Sequence, residues 1–249
     1  MLPDPAVIDL HCHILPGIDD GALDLADSLA MARIAAADGI EVIAATPHIR
    51  HDHDVRIPEL AGRVEEVNEA LRDADIAVVV VAGGEVAETA LDGLDERELR
   101  AVSLDGAGWI LLEPRPGPLG DSLLDSVDRL HEMGFRALIA HPERHPSEDI
   151  AERIGKLIER GALIQATAAY FVGGEAREGM LALARRGLIQ VLASDAHSSH
   201  GGRPLRISEG LAALEGVEML RPHLDWIAEE APAAILRGDV PAPPFPTLS

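Results

Sequence analysis

The chain has 249 residues, 47% of them hydrophobic, and carries a formal net charge of −22. That length can bury a sizeable core and suits one α/β barrel or one large α/β domain, so the expectation is a single domain over 1–249. The acidity would repel nucleic-acid phosphates and anionic lipid over most of the surface, which speaks against nucleic acid as a partner. Cys12 is the only cysteine, which leaves no intramolecular disulfide framework and no Cys-based zinc cluster. The opening "MLPDPAVIDLHCH" has neither a basic segment nor an apolar signal core, and no apolar run approaches a membrane span. A soluble cytoplasmic protein without membrane insertion is the simplest expectation.

In chain order, the apolar runs are "AVIDL" (6–10), "IEVIAAT" (40–46), "IAVVVVAGG" (76–84), "GWILLE" (108–113), "FRALIAH" (135–141), "ALIQAT" (162–167) and "LIQVLAS" (188–194), seven candidate strands. Helix-like stretches lie between them near 24–38, 58–73, 119–133, 148–160 and 174–186, three of which stop at Gly39, Gly161 or Gly187. Near-continuous apolar strands alternating with helices describe a parallel sheet covered on both faces or closed into a barrel. After about 205 the sequence reads as further helix, ending from about 239 in the Pro-rich "DVPAPPFPTLS", expected to be extended or loosely held.

Polar residues follow these strands at one end. His11 and His13 come after the first run, His48 after the second, Glu85 after the third, Glu113 and His141 close the next two, and Asp195 and His197 follow the last. In a parallel barrel the C-terminal strand ends share one rim, where barrel enzymes do their chemistry. So many imidazoles and carboxylates in mutual contact, with little Lys or Arg beside them, would repel one another unless cations were present. With Asp20 there are nine candidate ligands, more than the three or so protein groups that one catalytic ion uses, so the count implies two or three divalent ions. An all-imidazole and carboxylate set suits manganese, iron or zinc and gives no means of choosing among them; manganese is taken as the first expectation.

The motifs "DLHCHILPGIDDGA", "ATPH", "GGE", "LLE", "AHPER" and "SDAH", in this order, resemble those of the polymerase-and-histidinol-phosphatase (PHP) superfamily. The similarity is to its bacterial protein-tyrosine phosphatases of capsule and exopolysaccharide synthesis, and "HILPGIDDGA" is its most specific part. The resemblance implies a distorted (β/α)7 TIM-like barrel with three metal ions. By motif, His11, His13 and Asp195 would hold one ion, Glu85 would bridge to a second finished by Glu113 and His141, and Asp20, His48 and His197 would hold the third. Arg144 of "HPER" and Arg203 of "GGRP" match arginines that contact the phosphate. The implied substrate is phosphotyrosine on a protein, with a tyrosine autokinase tail as partner. A phenol leaving group, with a pKa of about 10, needs little help from a general acid.

Other readings compete. A thiol phosphatase would need Arg six positions after its cysteine, and Ile18 stands there; strand alternation also turns Cys12 away from the face shared by His11 and His13. "HDHD" (51–54) reads as a solvated or lid loop rather than a second metal motif. An amidohydrolase would use a carboxylated lysine at a strand end, whereas the only lysine, Lys156, lies in a predicted helix. Histidinol-phosphate phosphatase is the runner-up, and a non-catalytic metal-binding accessory domain comes third.

Overall fold

The computed structural model describes residues 6–248; residues 1–5 and 249, the ends of the expected domain, lie outside the described residues. The strands are β1 (Val7–Cys12), β2 (Ile40–Ala45), β3 (His48–Ile49), β4 (Val79–Ala82), β5 (Glu85–Ala87), β6 (Trp109–Glu113), β7 (Arg136–Ile139), β8 (Leu163–Thr167) and β9 (Val191–Ala193). All pairings between them are parallel, in the orders β1-β2-β4 and β3-β5-β6-β7-β8-β9. β3 resumes the path of β2 after Thr46 and Pro47, where proline has no N–H for the ladder. β5 likewise resumes β4 after Gly83 and Gly84. The segments therefore occupy seven strand positions, as the apolar runs predict.

The ring closes where β1 meets the end of β9. The Asp195 N–H donates to the His11 carbonyl at 2.8 Å and the His13 N–H to the Ala196 carbonyl at 2.9 Å. The buried Asp9 carboxylate ties the same seam, accepting from the Ser194 N–H at 3.0 Å and the His11 N–H at 3.1 Å. The result is a distorted (β/α)7 barrel.

Helices α1 (Leu25–Ala37), α2 (Leu60–Asp73), α3 (Glu96–Val102), α4 (Asp121–Glu132), α5 (Ile150–Glu159), α6 (Ala169–Val172), α7 (Arg177–Ala184), α8 (Ser208–Leu214) and α9 (Ala231–Leu236) complete the fold. They cover the strands through apolar stripes at helical spacing, such as Leu123, Val127 and Leu130 of α4. A separate inner core of Ile8, Leu10, Val42, Ala44, Leu111, Leu138 and Val191 fills the barrel. Ile235 and Leu236 of α9 join it together with Trp109, at the end where the strands begin. α3 lies outside the helix-like stretches read from the sequence. Its start is nonetheless written there as a capping box, with Asp95 and Glu98 each accepting the other's backbone N–H at 2.8 and 3.0 Å.

The Pro-rich tail is extended, but it is anchored rather than loosely held. Phe245 is buried edge-on against Trp226, with ring centroids 5.4 Å apart. The Leu248 N–H donates to the Arg186 carbonyl at 2.8 Å. This packing needs Gly187, which has φ +68° and where any Cβ would fall 2.2 Å from the Pro246 carbonyl oxygen. Among the described residues, no helix is long and apolar enough to cross a membrane.

Candidate active site

The site begins with an irregularity in β1. Asp9 pairs with Ile43 and Cys12 with Ala45, so β1 spends an extra residue over this stretch. Such a bulge re-aims side chains. Leu10 stays in the inner core, His11 and His13 gather at the rim, and Cys12 packs with Ile14 and Met31 in the outer core. The opposite placement of Cys12 and its flanking histidines is therefore as alternation predicts. Burial pushes the Cys12 thiol well above its ordinary pKa, with the Asp9 carboxylate adding to the effect, and Sγ lies 3.7 Å from the Ala196 carbonyl. A fully buried, protonated thiol is not a nucleophile. Cys12→Ser is accordingly expected to keep phosphatase activity within about threefold, set by its small packing change; loss of several orders of magnitude with a trapped phosphocysteine would reverse this assignment.

All nine candidate ligands converge. Four sets have ligand atoms within 4.8 Å of one another: His13, Asp20, His48 and His197; His11, His13 and Asp195; His11, Glu85 and His141; and His48, Glu85 and Glu113. Glu85 is the hub. Its Oε1 lies 2.7 Å from His141 Nε2, and its Oε2 lies 2.8 Å from His48 Nδ1, 3.4 Å from His13 Nε2 and 3.5 Å from His11 Nε2. Glu113 meets Glu85 through the His48 set and His141 meets it through the His11 set, so these two residues fall into different sets. Asp20 stands at the exposed edge, 3.2 Å from His48 and 3.6 Å from His197.

The donor atoms fit divalent cations. His11 Nδ1 is 2.9 Å from the Gln165 amide oxygen and His13 Nδ1 is 2.8 Å from Asp19. Each partner accepts a hydrogen bond from Nδ1–H, so in the neutral rings Nε2 carries the lone pair. Those two Nε2 atoms face each other at 3.3 Å beside the Glu85 and Asp195 oxygens. Such a convergence of lone pairs is repulsive unless a proton or a metal cation sits among them. His48 Nδ1 and Glu85 Oε2, although close, are not aligned for a hydrogen bond, and both are buried without a partner.

Without a metal ion the same carboxylates draw in protons: burial would push the His13 imidazole down, yet Asp19 and Glu85 hold it up at about 10, so a bound cation takes the place of the Nε2 proton. Burial would raise Glu85, yet the imidazoles of His11, His13 and His141 hold it well below the usual carboxylate range. Burial and the nearby Glu85 carboxylate raise Glu113. His141 is lowered to about 4, chiefly by burial, and His197 to about 4 by burial and then by His13, so both are neutral near pH 7 and available as ligands. His141 and Asp195 also sit at φ +37° and +51°. That backbone region costs a non-glycine residue about 1–3 kcal/mol and concentrates at functional sites.

Three neighbours escaped the reading of the sequence. Asp19 has its side chain buried, and besides His13 it accepts from the backbone N–H groups of His48 at 3.0 Å and Gly21 at 3.0 Å. Gly21 makes this turn fit, because a Cβ there would lie 2.2 Å from the His13 carbonyl oxygen. Gln165 is fully buried in β8, and a polar residue inside the apolar run "ALIQAT" was the signal for it. Arg50 lines the cleft, with Nε 2.7 Å from Asp52 and Nη1 3.5 Å from Glu113. Asp19→Ala, which frees the His13 ring, is expected to weaken metal affinity by about 10–100-fold. A metal titration of the variant checks this, and wild-type affinity would contradict it.

Arg144 and Arg203 flank the cleft as the resemblance implies. Arg144 Nη2 donates to Asp195 Oδ2, while Arg203 donates to the Asp195 carbonyl at 2.7 Å and its carboxylate at 3.1 Å. The arginines, with Asp20, His48 and His197, line a cavity of about 390 Å³. The 51–54 loop belongs to no metal set among the described residues. It folds against the site instead, with the His53 ring stacked on His48 at 5.1 Å. Lys156 lies on α5, bonded to Glu152 at 2.7 Å, and is no part of the cleft.

Fold and site together define an α/β barrel with a candidate metal centre at the C-terminal ends of its strands. Residues 7–236 match the model of the CpsB/CapC family, described as capsular polysaccharide synthesis, and the chain belongs to that family. It is 35% identical over 226 residues to the tyrosine-protein phosphatase YwqE of Bacillus subtilis, covering 84% of each chain. It is 28% identical over 205 residues to the tyrosine-protein phosphatase CpsB of Streptococcus pneumoniae, covering 77% of this chain and 83% of the relative. It also superposes on a crystal structure from work on YwqE and CpsB, described as unique metal-dependent tyrosine phosphatases. The TM-score is 0.82 at 30% identity, over 97% of this chain and 99% of the other.

Proposed function

We propose that this chain is a metal-dependent protein-tyrosine phosphatase of capsule or exopolysaccharide synthesis, acting in the cytoplasm on the phosphotyrosine tail of a tyrosine autokinase. The observation that carries the reading is the meeting of the His11 and His13 lone pairs with Glu85 and Asp195 at one buried point. His11, His13 and Asp195, with Glu85 between sets, would hold a first ion; Glu85 with His141 and Glu113 a second; and Asp20, His48 and His197 a third, with manganese the preferred metal. When bound, such ions supply positive charge to the phosphoryl oxygens and a water acidic enough to act as a nucleophile near neutral pH.

The chain's own residues do the rest. Gln165 and Asp19 fix the two first-strand imidazoles in one tautomer and orientation. Arg144 and Arg203 bring guanidinium groups to the cleft, where they bind nonbridging oxygens and favour charge that grows in the transition state. No side chain need protonate a phenolate whose conjugate acid has a pKa of about 10. Aryl phosphates are therefore the easier substrates. Solvent reaches the cleft mouth at Asp20, whose side chain is 55% exposed, so a peptide can lie across the rim.

Arg144→Ala and Arg203→Ala are each expected to lower kcat/KM for a phosphotyrosine peptide by about 1.5–3 kcal/mol, the range for hydrogen bonds to charged groups. That is about 10–150-fold in rate. The same assay run with histidinol phosphate tests the function. A hundredfold preference for histidinol phosphate over the peptide would move the chain to that neighbouring reaction while leaving the metal site in place.

A further inference from the structure

Arg144 and Arg203 share the cleft with a third arginine, Arg50. Each of the three is tied to a carboxylate of the candidate metal set. Arg144 and Arg203 reach Asp195, whereas Arg50 Nη1 stands 3.5 Å from Glu113 Oε2. Arg50 thus faces Glu113 across the Glu85 hub from the other two, at ion-pair distance rather than in the hydrogen bonds that Arg144 and Arg203 make to Asp195. The accessibility of the three side chains is also alike: 29% for Arg50, 30% for Arg144 and 26% for Arg203.

The seat of Arg50 is built. Asp52 Oδ1 lies 2.7 Å from its Nε as an ion pair, although Nε is not aligned for a hydrogen bond, and Nη2 is 3.4 Å from His53, whose ring stacks on His48. Asp52 shares the guanidinium with Glu113. A free arginine would close on that carboxylate to the 2.7–2.9 Å of a charge-assisted bond and compete with a cation for it. Held at 3.5 Å, Arg50 leaves Glu113 available and keeps N–H groups for another anion.

We propose that Arg50 is a third substrate-binding arginine, which donates to a nonbridging oxygen of the phosphoryl group from the Glu113 side of the cleft. The inference rests on the phosphatase reading above. Charge in phosphoryl transfer spreads over three equatorial oxygens. Two arginines on the Asp195 side leave the Glu113 side of the group without a side-chain donor, and Arg50 supplies one. The 50–53 segment, including three of the four residues of the "HDHD" stretch, then serves to mount this arginine.

The test compares wild type, Arg50→Ala, Arg50→Lys and Arg144→Ala, each loaded with manganese. It reads the Kd for inorganic phosphate by calorimetry, kcat/KM for a phosphotyrosine peptide, bound metal and Tm. Arg50→Ala is expected to weaken phosphate binding and kcat/KM by about tenfold or more, as a lost hydrogen bond to a charged group does. Metal content and Tm should stay at wild-type values, and Arg50→Lys should recover part of the loss by restoring the charge without the planar fork. Wild-type phosphate affinity in Arg50→Ala, beside a clear loss in Arg144→Ala, would overturn the assignment of Arg50 alone. So would loss of metal together with phosphate, which would make Arg50 a prop for Glu113. A wild-type protein that neither binds phosphate nor hydrolyses the peptide would overturn the phosphatase reading and this inference with it.

Discussion

Glu85→Ala is expected to lower both bound metal and kcat/KM on a phosphotyrosine peptide by more than the roughly 10–100-fold that follows loss of an outer partner of a metal site. The reason is its position. Its two carboxylate oxygens lie 2.7–3.5 Å from nitrogens of His141, His48, His13 and His11. Two of the four ligand sets contain it. Its removal leaves buried imidazoles, and any cations they hold, without their central negative charge, and a buried unpaired charge is among the costliest defects a site can carry. Asp20→Ala is the useful contrast, since Asp20 belongs to one set and its side chain is 55% exposed, so its loss is expected to be milder. Elemental analysis after dialysis, run beside steady-state kinetics, measures both effects. Wild-type turnover and metal content in Glu85→Ala would show that the ligand assignment is misplaced.

Much of this architecture is written in the sequence. Parallel strands covered on both faces must be apolar along their whole length, so runs such as "IEVIAAT" and "GWILLE" stand out, and the polar residues at their ends mark the rim. The nine ligand positions follow from that placement and from the motif resemblance, and the structure brings all of them together. What escaped was local geometry. Alternation assigns a face to each residue of β1 only while the register holds, and the bulge between Asp9 and Cys12 lets Leu10 stay in the inner core beside a rim-facing His11. "DDG" offers two adjacent aspartates of equal chemistry. Only the turn permitted by Gly21 sends Asp19 beneath His13 and Asp20 out to the edge. Arg50 stands just before the charged "HDHD" stretch, which reads as a solvated or lid loop. Its role depends on the approach of Glu113 from a strand far along the chain. The tail is extended, as its proline content implies, while the anchoring that Phe245 and Leu248 provide is not written in that content.

The most direct measurement of the central claim is hydrolysis of a phosphotyrosine peptide before and after complete removal of metal. Nine imidazole and carboxylate groups meet in the cleft, while Cys12, the only cysteine, is buried in the outer core with its thiol held protonated. Without metal cations the cleft would present a phosphate dianion with the Glu85, Glu113 and Asp195 carboxylates, offset by the His13 imidazolium and by arginines already paired to two of them. Treatment with a chelator, verified by elemental analysis, should therefore abolish turnover. Adding back manganese should restore it in proportion to the metal bound, while Cys12→Ser protein behaves in the same way throughout. Full activity in verified metal-free protein would contradict the account.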